Sequence, residues 1–84
     1  MVKVKKKDGS IEEFMKEKII EGCKRAGTTA EQAMEVAEEV TKKVTKMATV
    51  TTDKIADLVL NSLDRINKMA ADAYRKFRKM KYKK

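Results

Sequence analysis

Histidine, proline and tryptophan are absent from this 84-residue chain, and cysteine occurs once. The missing histidine removes the usual general base, any His-based triad and the commonest zinc ligand. A single thiol, Cys23, excludes an internal disulfide and fits a reducing compartment, so a cytoplasmic location is expected. Two tyrosines and two phenylalanines are the whole aromatic content, which leaves Met, Val, Ile, Leu and Ala to fill the interior. No apolar run approaches the ~20 residues that a membrane span needs, so no membrane partner is expected. The opening residues are charged and no apolar stretch follows them, so no signal peptide is expected either. The chain carries neither G-x-x-x-x-G-K-[ST] nor G-x-G-x-x-G, so both common phosphate loops are missing. The adjacent carboxylates Glu12-Glu13 and Glu38-Glu39 have nothing beside them in sequence to raise a pKa, and they read as solvated surface. Cys23 lies on an apolar helix stripe and reads as a core residue. No nucleophile, base or metal set is visible, so neither an enzyme nor a protein-bound metal is expected.

What the chain does have is charge. Charged residues make up 40% and apolar residues 42%, which is enough for one small core, and the net charge is +8. The positive excess sits at the two ends. Residues 1–10 hold four lysines against one aspartate, and residues 66–84 hold eight bases against one aspartate. The stretch between them is slightly acidic. Basic poles imply an anionic partner: nucleotide phosphate, nucleic acid or an acidic surface. A merely solvated, solubilising surface is the plain alternative.

Val2 to Lys6 alternates apolar and charged residues, Ile11 to Phe14 can form a partner strand, and Asp8-Gly9 signals the turn between them. Loop parity decides which side chains share a face. A three-residue loop, Lys7-Asp8-Gly9 with Gly9 left-handed, pairs Val2 with Phe14, Val4 with Glu12 and Lys6 with Ser10. It makes one coherent face of Val2, Val4, Lys6, Glu12 and Phe14, and it leaves Ile11 on the other side. A first helix is expected over about 16–26, stopped by Gly27. Thr28 with Glu31, or Thr29 with Gln32, can cap a second helix whose seam is Ala33, Ala37, Val40, Val44 and Met47. "ATVTT" (48–52) can form a short extended segment before a third helix capped by Thr51 or Thr52, with Ile55, Leu58, Val59 and Leu63 inward. A weak break near Asn67 precedes a last helix carrying Ala70, Ala71, Ala73, Tyr74 and Phe77 into a lysine-rich tail from about residue 79, which is expected to fray. The expected class is α+β: an N-terminal β-hairpin, with a short third strand available near residue 50, packed on about four helices in a single domain, 1–84.

The hairpin places a cation, Lys6, beside an apolar patch of Val4 and Phe14. A nucleotide needs that combination, with apolar side chains around the base and ammonium groups at the phosphates. Lys7 at the turn and Lys18 on the first helical turn can add donors.

These residues resemble the opening of the ATP-cone domain. "VKKKDGSIEEF" followed by "MKEKI" matches the family pattern through Val4, Lys6, Lys7, Asp8, Gly9, Glu12, Phe14, Lys18 and Ile19. "TTDKIADLVLNSL" is similar to the family's threonine-led third helix through Thr52, Ile55, Val59 and Leu63, and "MAADAYRKF" to its closing helix through Ala71, Tyr74 and Phe77. The resemblance implies a regulatory module that binds ATP or dATP reversibly, with magnesium allowed alongside and no hydrolysis. In the family it is fused to ribonucleotide reductases or to a zinc-ribbon repressor of their genes. Carried over by position, Lys6 and Lys7 meet phosphates, with Lys18 and Lys81 as further cations. Val4, Phe14, Ile19 and Ile55 surround adenine, and Phe77 closes one side. Glu12 approaches polar base edges, and Thr52 bonds phosphate or sugar. The family's fold also brings the last helix near the first strand, so both basic ends flank one phosphate site. Two positions depart from the pattern: Lys7 stands for an arginine, and Met15 stands where Asp or Asn is common. The chain ends where the cone ends, so the expectation is a freestanding module acting on a separate protein partner or through self-association. A rival reading uses "YRKFRKMKYKK" as a nucleic-acid or protein contact, with Phe77 and Tyr82 interleaved for stacking.

Overall fold

The computed structural model describes residues 2–82, with side chains as far as Lys79. The elements run β1 (Lys3–Lys5), β2 (Ile11–Glu13), α1 (Lys16–Ala26), α2 (Ala30–Val44), β3 (Thr49–Thr51), α3 (Thr52–Ile66) and α4 (Lys68–Tyr82). This is the expected α+β arrangement, with the third strand present.

The β1–β2 hairpin closes through the three-residue loop. Gly9 has φ 91°, and its N–H donates to the Lys6 carbonyl at 3.0 Å. The Asp8 carboxylate accepts from the Ser10 N–H at 2.9 Å and from its hydroxyl at 2.6 Å, which fixes the turn and holds the Asp8 carboxyl below its ordinary value. The register pairs Val4 with Glu12, and Lys6 donates to Ser10 at 2.9 Å. Val4 is therefore buried, with Phe14 and Glu12 half-buried on its side, while Ile11 faces solvent. β3 pairs with the other edge of β1, in parallel, with Val4 opposite Val50. A parallel pair needs a long crossover, and α1 with α2 supply it.

α1 ends in a Schellman motif: Gly27 (φ 111°) donates to Lys24, and Thr28 donates to Cys23. Its start has no side-chain cap, because Met15 has nothing to offer. Of the two capping pairs, Thr29 with Gln32 is the one formed, at 3.1 and 3.2 Å in the two directions. α2 stops at Val44, so Met47 packs half-buried beyond its end rather than on its seam. Val36 joins the seam, because α2 packs against both α1 and α3 and so buries a wider face. Thr51 caps α3 by accepting from the Lys54 N–H at 3.1 Å. Asn67 ends α3 and caps α4, accepting from the Ala70 N–H at 3.1 Å, while its amide donates to Gln32.

The core is aliphatic: Cys23, Ala33, Val36, Ala37, Val40, Val44, Val59, Leu63 and Ala71 are essentially fully buried. Burial pushes the Cys23 thiol up to about 11. Glu39 differs from the solvated carboxylate expected: it accepts from Arg65 and from the buried Ser62, and Arg65 holds it below its ordinary value.

Candidate functional site

The inner face of the hairpin, α1, the start of α3 and the second half of α4 enclose an open cleft of about 930 Å³. That is in the range of small-molecule sites, roughly 300–1,000 Å³. Each wall follows from a local pattern. Strand parity turns Val4, Lys6, Glu12 and Phe14 to one side. On α1, Lys18, Gly22 and Arg25 share a face at helical spacing, with Ile19 beside them. Because Thr51 serves as the α3 cap, the Thr52 hydroxyl is free for other work, and it donates to the Lys5 carbonyl at 3.4 Å, pinning α3 to β1. Ile55 lies one turn further on, turned to the cleft and half-buried rather than in the core with Leu58 and Val59. Tyr74, Phe77 and Arg78 come from one face of α4.

The cleft is divided by chemistry. Its apolar part is Val4, Phe14, Ile19, Ile55, Tyr74 and Phe77, the last 45% exposed. Its cations are Lys6, Lys7, Lys18, Arg25 and Arg78. These cations have protein anions among them. Glu12 accepts from Lys6 and from Lys18, each at 3.2 Å, and both ammonium groups hold its carboxyl below the ordinary value, Lys18 more strongly. Asp53 lies 2.8 Å from Arg78 and 3.9 Å from Lys7. Among the described residues, no group of three or more His, Cys, Asp or Glu side chains could hold a metal ion. No helix there is long and apolar enough to cross a membrane.

Of the residues expected to contact nucleotide, Val4, Lys6, Lys7, Glu12, Phe14, Lys18, Ile19, Thr52, Ile55 and Phe77 line this cleft, and the side chain of Lys81 lies outside those described. Sequence reasoning missed Arg25, Tyr74 and Arg78 as cleft residues. The signal for Arg25 was present, since it lies seven positions after Lys18 on the same helix face. The signals for Tyr74 and Arg78 were the three- and four-residue spacings to Phe77 and from Tyr74.

The ATP cone domain family model matches residues 2–82. The chain belongs to the ATP-cone family. ATP-cone domains are regulatory modules that bind ATP or dATP. This cone is 32% identical over 83 residues to the transcriptional repressor NrdR of Exiguobacterium sp. (strain AT1b), an alignment covering 87% of the chain and 54% of the repressor. It therefore spans about half the length of that relative. It is also 49% identical over 39 residues to an uncharacterised protein of Archaeoglobus fulgidus, covering 46% of the cone and 83% of that protein.

Proposed function

We propose that this cone binds ATP or dATP reversibly in the cleft, without hydrolysing it, and passes its occupancy to a partner. The observation that carries the reading is the meeting of three chain-distant groups at one hollow: hairpin lysines, an apolar patch and an α4 arginine. Adenine fits among Val4, Phe14, Ile19 and Ile55, with Tyr74 and Phe77 alongside. Phosphates suit Lys6, Lys7 and Arg78, with Lys18 and Lys81 as further donors. Thr52 can bond sugar or phosphate. Glu12, anchored by two lysines, keeps lone pairs able to accept from the adenine amino group. The same lysines make Glu12 a poor base, since its carboxyl is held below the ordinary range. That supports binding without chemistry.

The kinship with a transcriptional repressor supports a regulatory context, and the family's setting supports deoxynucleotide metabolism or control of its genes. The cone's occupancy is passed to a protein partner or to other copies of the cone. The competing use of the basic α4 as a nucleic-acid contact has less support, because Arg75 is engaged with Asp64 and Asp72 while Arg78 lines the cleft.

The test is titration with ATP and dATP, followed by amide chemical shifts and melting temperature. Millimolar nucleotide should move the hairpin and α1 amides. Lys6→Ala with Lys7→Ala should weaken binding by about 10- to 100-fold per lost charged contact, from ~1.5–3 kcal/mol each. No response to either nucleotide would remove the reading. DNA or RNA binding that collapses steeply with salt would replace it.

A further inference from the structure

Lys6, Lys7, Lys18 and Arg78 in the cleft already hold anions, and the identity of those anions matters. Asp53, in the first turn of α3, contacts Arg78 of α4 at 2.8 Å and lies 3.9 Å from Lys7 at the hairpin turn. One carboxylate thus joins three elements far apart in sequence. We infer that ligand entry is an anion exchange: a polyphosphate displaces Asp53 from Arg78 and Lys7, and the loss of that tie shifts the turn of α4 around Arg78. This rests on the nucleotide reading above. It adds which protein group competes with the ligand and which element reports occupancy.

Three physical points carry it. The Asp53 side chain is 54% exposed, so its ion pairs are screened and weakly held. Phosphate oxygens carry more charge and can take the planar fork of Arg78 through two hydrogen bonds, so they outcompete one carboxylate. Asp53, once released, is not stranded, because the N-terminus of α3 favours an anion and water reaches the side chain. Only the end of α4 responds. One turn earlier, Arg75 binds Asp64 of α3 at 2.7 Å and keeps the preceding helix in place.

The test uses the full chain with Asp53→Asn. The reference is Asp57→Asn, which makes the same charge change one turn along α3, at an exposed residue outside the cleft. Calorimetry with ATP should give Asp53→Asn an affinity about 5-fold or more above that of Asp57→Asn. Without ATP, its amides from Arg75 to Lys79 should already lie near their positions in ATP-bound wild type. Asp53→Ser, which also suits a first helical turn, should behave in the same way. Equal affinities for the Asn variants, or α4 amides that stay at the ATP-free wild-type positions, overturn the exchange while ATP binding stands. Failure of wild type and Asp57→Asn alike to bind ATP overturns the nucleotide reading, and the exchange with it.

Discussion

Lys18 of α1 donates to Glu12 of the hairpin at 3.2 Å, so a single ion pair fastens the sheet edge to the first helix. Lys6 reaches the same carboxylate, and together the two ammonium groups lower its pKa. A lowered carboxyl contributes stability that is complete above its unfolded value of 4.5 and fades as pH falls through the lower folded value. Glu12→Gln should therefore lower the melting temperature slightly at pH 7, and the gap to wild type should narrow below pH 4.5. Thermal melts between pH 2.5 and 7 read this out. A gap that widens in acid would refute it.

Met15 sits in an extended conformation at the start of α1 with no side-chain hydrogen bond to the helix. Its backbone is already that of a cap residue. Met15→Asp should accept from an N–H of the first turn and favour the helix dipole, for a gain of about 0.5–2 kcal/mol. Urea unfolding should show a raised midpoint with unchanged slope.

A Cβ built on Gly22 would stand 3.5 Å from Cε2 of Tyr74, an ordinary contact. Gly22→Ala therefore fits without displacing α4. It should stabilise the chain by about 0.5–1 kcal/mol through helix propensity, or roughly 2–8 °C in a domain of this size. Gly22 also lines the cleft, so the added methyl should weaken ATP binding. A rise in melting temperature with unchanged ATP affinity would place the ligand away from α1.

Cys23 is fully buried, and its thiol is pushed up to about 11. A thiol-specific reagent at pH 8 should label the folded chain orders of magnitude more slowly than the chain in denaturant. Rapid labelling without denaturant would mean that α1 detaches readily from α2.

Much of the hairpin was readable, because Asp8-Gly9 marks the turn and strand parity then assigns each side chain to a face. The end of α1 was readable from Gly27. The doubled threonines were not: Thr28-Thr29 and Thr51-Thr52 each offer two equivalent caps, and tertiary packing chooses between them. The pairing of β3 with β1 joins residues more than forty positions apart, and no local pattern encodes it. Long charged side chains are equally silent in sequence. Nothing in "TTDK" says that Asp53 will meet an arginine on the last helix. The breadth of the buried face of α2, and hence Val36, depends on having two helical neighbours at once.

Of the sheet's three strands, the one made first is the middle one, hydrogen-bonded on one side to β2 and on the other to residues 49–51. The hairpin can form early, but its second neighbour arrives only after two whole helices have been made. A growing chain thus carries its lysine ribbon half-docked until residues 49–51 have been made, and the hollow above it takes shape only when α3 and α4 follow.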